Sequence, residues 1–135
     1  LLLVCLFIIN IKFTPISVPG NNQSRQVKEI SDFVISKAEG KPYNFSISGI
    51  GNSDHAYRYF FKLDGREPVT ILGLDKDPER KSVTDQLFVV CETNPCYPLG
   101  ESRQEIAGFG RAEIAGQWDV SVLKVYKLIH YTGEE

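Results

Sequence analysis

Residues 43–63 constrain this chain more than any other stretch. Tyr43, Phe45 and Ile47 alternate with Asn44, Ser46 and Ser48, the period-two pattern of a half-buried strand. The alternation stops at Gly49 and Gly51. Asn52, Ser53 and Asp54 follow, and their short polar side chains suit a helix N-cap. An aromatic segment then carries Tyr57, Tyr59, Phe60 and Phe61. The expected order is strand, glycine turn, capped helix. A second strand over 54–63 is the rival, because His55, Tyr57, Tyr59, Phe61 and Leu63 also alternate. The cap triplet and a helical face of Ala56, Phe60 and Leu63, joined by Tyr57 and Phe61, favour the helix.

In open α/β sheets, sites gather at the carboxyl ends of strands. That makes the turn a candidate ligand site built from Gly51, Asn52, Asp54, His55, Tyr57 and Arg58. Gly51 lets backbone come close to a ligand. The helix start offers free N–H groups to an anionic or hydroxyl-rich ligand. Arg58 adds a fork of donors and Tyr57 an aromatic face for a sugar ring. The plainer alternative is architectural: the cap residues satisfy the helix end, the tyrosines fill the core, and Arg58 points to water.

The flanks supply the rest of an α/β domain. Over 23–39, Val27, Ile30, Val34 and Ala38 recur at helical spacing with Phe33 beside them. Asn22 is placed to cap this helix and Gly40 to end it. Val69 to Leu72 read as a short β-branched strand within 68–74. Residues 75–81 form a charged, solvated loop; Asp75 and Asp77 lack the glycine and terminal Glu of a calcium loop. The unbroken apolar run in 82–92 suits a strand buried on both faces, hence a central one. Residues 102–107 fit one or two helical turns, and 111–128 fit either two closing strands or one long bulged strand. The expected fold class is α/β: a small sandwich of helices on a mixed, mainly parallel sheet over 23–130, with a polar tail at 131–135.

Residues 1–11 are apolar except for Asn10. A helix of that length covers about 17 Å, against a hydrocarbon core of about 30 Å. It is read as the end of a transmembrane helix spanning 1–13, with its first half upstream and Lys12 and Phe13 at the interface. A buried N-terminal element and a signal-peptide core are the alternatives, the second lacking a basic n-region and a cleavage site. Residues 14–22, with Pro15, Pro19 and Gly20, form a linker.

Cys91 and Cys96 frame Glu-Thr-Asn-Pro, a turn that brings two thiols within disulfide range, with two free buried thiols as the alternative. A bridge implies an oxidising, extracytoplasmic location. His55 and His130 are the only histidines and lie far apart, so no metal site is expected. The net charge of −2 lacks the basic excess of a nucleic-acid binder, and no nucleic-acid partner is expected. Asn22-Gln23-Ser24 and Asn44-Phe45-Ser46 match the N-glycosylation acceptor pattern. No phosphate loop or nucleophile elbow occurs, and Gly49-x-Gly51 has no third glycine at 54. Adjacent Asp54 and His55 on a helix do not face each other as a dyad.

Three phrases together carry a resemblance: Gly-Asn-Ser-Asp-His-Ala-Tyr-Arg-Tyr-Phe-Phe at 51–61, Val-Thr-Asp-Gln-Leu-Phe-Val-Val-Cys-Glu at 83–92, and Glu-Ile-Ala-Gly-Phe-Gly-Arg-Ala-Glu-Ile at 105–114. Over 23–128 the chain resembles the C-terminal extracytoplasmic region of bacterial multi-spanning glycosyltransferase-like membrane proteins, of the protein-mannosyltransferase and aminoarabinose-transferase superfamily. The resemblance implies a non-catalytic domain that helps position a lipid-linked sugar or its acceptor. The catalytic acidic residues of such families lie in loops between early membrane helices, so no catalytic residue and no cofactor is expected in this chain. Its implied partners are the membrane, the transmembrane part of the same chain and a glycan or lipid-linked sugar. The alternative is a membrane-anchored module that binds a small ligand or glycan.

Overall fold

A computed structural model describes residues 2–12, 20–49 and 53–133. The order is α1 (Leu2–Lys12), α2 (Gln23–Ala38), β1 (Asn44–Ser48), α3 (His55–Leu63), β2 (Gln86–Cys91), α4 (Gln104–Phe109), β3 (Ala112–Val120) and β4 (Leu123–His130). The sheet runs β1-β2-β4-β3. The expected α/β class and mixed sheet stand. The sheet is mostly antiparallel rather than mainly parallel: β1 and β2 are the one parallel pair, while β2–β4 and β4–β3 are antiparallel. For β3 and β4 the cause is the short connection at Ser121 and Val122. A two-residue link can only reverse the chain, and Ser121 supplies a positive φ of 56° for it. The hairpin carries β4 back into the centre, beside β2. Of the two forms expected for 111–128, two closing strands occur, with a register shift between Ile114 and Gly116 in the first.

All six residues of β2 are buried, as its apolar run requires. Its side chains alternate between two cores. Phe88 and Val90 join Phe45 and Ile47 of β1 and Val125 of β4 beneath Ile30 and Val34 of α2 and Tyr57 and Phe61 of α3. Leu87, Val89 and Cys91 meet Ile71, Ile106, Phe109 and Leu128 on the other face. Rings in the first core meet edge to face, Phe45 and Phe61 at 4.9 Å and Tyr43 and Phe88 at 5.8 Å, the geometry that the ring quadrupoles favour.

Segment 68–74 does not form the expected strand. It forms no ladder with β1 and is attached beside the start of that strand through the Asn44 side chain and one main-chain bond. The Asn44 amide donates to the carbonyls of Val69 (2.8 Å) and Ser82 (2.9 Å). Its oxygen accepts from the Thr84 N–H (2.8 Å) and hydroxyl (2.9 Å). One main-chain bond, Val69 N–H to the Tyr43 carbonyl at 2.8 Å, completes the attachment. All five residues of edge strand β1 are buried. The same bonds occupy the Asn44 amide, so the folded chain does not present this glycosylation pattern, whereas Asn22 is exposed.

Two further expectations change. Asn22 makes no side-chain cap; its neighbour Asn21 accepts from the Gln23 N–H at 3.2 Å. The charged loop is not wholly solvated, since Asp77 is 8% exposed and accepts from the N–H groups of Lys81 and Ser82 and from the Ser82 hydroxyl.

The described side chains of α1 are exposed. With 11 residues it is too short to span a bilayer, and no helix among the described residues is long and apolar enough to cross a membrane. Its one polar interior residue, Asn10, donates to the Leu6 carbonyl at 2.8 Å.

Candidate functional site

Four of the six residues expected on the turn are described, and they have different surroundings. Gly51 and Asn52 lie outside the described residues. Asp54 stands at the N-cap position but makes no side-chain cap; its carboxylate pairs with the Arg58 guanidinium one turn on. Arg58 also donates to the Thr70 hydroxyl at 3.1 Å, so its fork ties α3 to the 68–74 segment instead of reaching for a ligand. His55 faces solvent. Tyr57 is 2% exposed and donates its hydroxyl to the Glu92 carboxylate at 2.9 Å. Burial, with that carboxylate beside it, raises the phenol well above its ordinary value of 10.0. A buried ring of this kind cannot serve as an open platform for a sugar.

Helix α3 nevertheless builds a cleft, through apolar residues that its core face leaves over. Only Tyr57 and Phe61 of this helix are buried, an i, i+4 stripe. Ala56, Tyr59 and Phe60 line instead an open groove of about 490 Å³. Helix α2 gives the opposite wall from its first turns, with Gln23, Ser24, Gln26, Val27 and Ile30. The hairpin turn closes one end with Val122 and Leu123, and Glu92, just after β2, lies in the floor with Tyr57. Tyr59 and Phe60 meet edge to face at 5.3 Å, and Tyr59 is 59% exposed. The groove therefore offers an accessible aromatic face, a row of amide and hydroxyl side chains, and a carboxylate.

The groove lies at the carboxyl ends of the parallel pair. Glu92 N–H donates to the Ser48 carbonyl at 2.8 Å, continuing the β1–β2 ladder by one residue. A second hollow of about 370 Å³ adjoins it, sharing Glu92, Val122 and Leu123 and running along the 91–96 loop. That loop is closed by a disulfide between Cys91 and Cys96, whose Cα atoms are 5.9 Å apart, as the sequence spacing allows. A third, polar hollow of about 240 Å³ on the other side of β1 holds Ser46, Ser53, Asp54, Arg103 and Glu105. Among the described residues, no three His, Cys, Asp or Glu side chains stand together as a metal site.

The groove lies at the end of β1 where a site was expected, and of the residues expected there it shares Tyr57. Gln23, Gln26, Tyr59, Phe60, Glu92 and Val122 were missed. One local signal was available for Tyr59 and Phe60: this segment has more aromatic residues than one buried helix face can absorb. Glu92 and Val122 carry no such signal, because they reach the groove only through strand pairing.

The fold and groove together define a small mixed-sheet α/β domain with an open aromatic cleft at one end of the sheet. In comparisons with known proteins, the chain matches no family model, no curated protein and no solved structure.

Proposed function

We propose that residues 23–130 form a non-catalytic extracytoplasmic domain, tethered to a membrane by the apolar N-terminal segment, whose groove binds a sugar. The domain belongs, in this reading, to a glycosyltransferase-like membrane protein and positions a lipid-linked sugar or its acceptor. The groove carries the proposal. An exposed tyrosine ring provides the stacking face that a pyranose presents its C–H groups to, and Gln23, Gln26, Ser24 and Glu92 line the same cleft with hydrogen-bonding groups for hydroxyls. Its size also suits a mono- or disaccharide. The Cys91–Cys96 bridge agrees with an oxidising compartment. Helix α1 agrees with a lipid surrounding, being apolar over 2–11 except for Asn10, whose amide donates to the Leu6 carbonyl.

A single-span anchored binding module rests on the same groove and differs in what precedes Leu1; many apolar spans encoded upstream would favour the transferase, one span the module. The test of the shared claim is an NMR titration of the domain with neutral and phosphorylated sugars and short glycans. Shifts clustered on Gln26, Tyr59, Phe60 and Glu92, lost in Tyr59→Ala with the fold intact, are expected. Absence of shifts at millimolar sugar would sink the groove as a glycan site. Turnover of a lipid-linked sugar by this chain alone would overturn the non-catalytic assignment.

A further inference from the structure

We infer that the groove end of the domain is its bilayer-facing surface, with Tyr59 and Val122 seated among lipid headgroups. The inference rests on the tether reading and adds an orientation to it. Helix α2 starts on the groove rim, where Gln23 and Ser24 form part of the lining. Residues 13–22 are the whole connection between α1 and α2, and at most about 3.1–3.6 Å per residue they reach roughly 31–36 Å. The start of α2, and the groove rim with it, stays within that reach of α1. The opposite end of the sheet is farther by the length of the strands, about 30 Å for the nine residues of β3.

The two ends also differ in chemistry. At the groove end Tyr59 is 59% and Val122 68% exposed, with Phe60 beside them. A phenol on an apolar body suits the membrane–water interface. At the far end, where Tyr43 leads into β1 and donates its hydroxyl to the Arg66 carbonyl, charged residues Glu39, Lys41, Asp64, Arg66 and Glu67 are exposed together with Leu63 and Tyr131. The hairpin next to the groove carries Lys124 already paired with Asp119. Docking therefore works through aromatic and apolar contact with a neutral lipid surface, without needing anionic lipid. A groove held this way meets ligands carried on lipids before ligands free in solution.

The test uses the full chain with its free Cys5 changed to Ser. A single cysteine replaces Val122, Tyr59 or Glu67 in turn and carries a bimane label. All three sites are exposed, so the core is left intact. Each protein is mixed with phosphatidylcholine vesicles, with and without headgroup-nitroxide lipid. The expected result is loss of most emission at 122 and 59, with emission retained at 67. Vesicles that carry the protein on flotation but quench all three labels alike, or none, overturn the orientation and leave the tether standing. Failure to float overturns both. A concentration-dependent emission change at 122 and 59 without vesicles assigns the face to a second copy of the chain and also overturns the inference.

Discussion

Replacing Asn44 with Ala tests the idea that one buried amide fixes a whole irregular segment. Asn44 is fully buried, and its side chain makes the four bonds described above to Val69, Ser82 and Thr84. The Thr84 hydroxyl has a second acceptor in the Gln86 carbonyl at 2.9 Å, so its loss is small. Three groups are then left without their partner: two carbonyls and the Thr84 N–H. At about 1–1.5 kcal/mol for each unmade bond, the cost is roughly 3–4 kcal/mol, a large share of the about 5–15 kcal/mol that holds a typical domain together. In urea, with a slope of about 1.5–2 kcal/mol/M, the midpoint should fall by about 2 M. Hydrogen exchange gives the local readout: the amides of Val69, Leu72 and Thr84 should lose protection first. Asn44→Asp sharpens the test. It keeps the acceptor that serves Thr84 but turns a second oxygen toward two carbonyls, so burial should raise the new carboxyl's pKa and stability should partly recover as the acid is protonated. A loss below about 1 kcal/mol for Asn44→Ala, a value within the range of a single hydrogen bond, would refute the account. So would an unchanged exchange pattern over 69–84.

Two other perturbations have clear signs. Cys96→Ser opens a loop with a sequence separation of 5 and should cost about 2 kcal/mol by the loop-entropy relation; an unchanged urea midpoint after reduction of the wild-type chain would contradict it. Asp77 is held below its ordinary value of 3.8, first by the Ser82 hydroxyl and then by the Ser82 N–H. The unfolded chain takes up that proton before the folded one does, so the stabilisation is present above pH 3.8 and fades as pH falls through the lower folded value. Asp77→Asn should be less stable near neutrality and should lose less than wild type on acidification, which denaturation midpoints on either side of pH 3.8 will read.

The local elements were legible because local spacing determines them. The 3.6-residue repeat from Val27 to Ala38 gave α2 within one residue, and the unbroken run ending at Cys91 gave a central strand buried on both faces. The loop between Cys91 and Cys96 brought the thiols together at short range. Non-local pairing decided the rest. Nothing within 111–130 states that β4 returns between β2 and β3; that follows from hairpin closure and from burying Val125 and Leu128 on opposite faces. Val69 to Leu72 have the composition of a strand, yet an asparagine 25 residues away in sequence takes up the Val69 carbonyl. The turn at 49–54 correctly marked the carboxyl end of β1, since a strand's direction is a local property. Which side chains converge there was decided by the tertiary structure. Arg58 turned back to Asp54 and Thr70, Tyr57 went under α2, and the cleft was assembled from the start of one helix, the surplus face of another and the tip of a hairpin more than 60 residues on. Periodicity records which face of an element is apolar; it carries no information on which other element will cover that face, or leave it open.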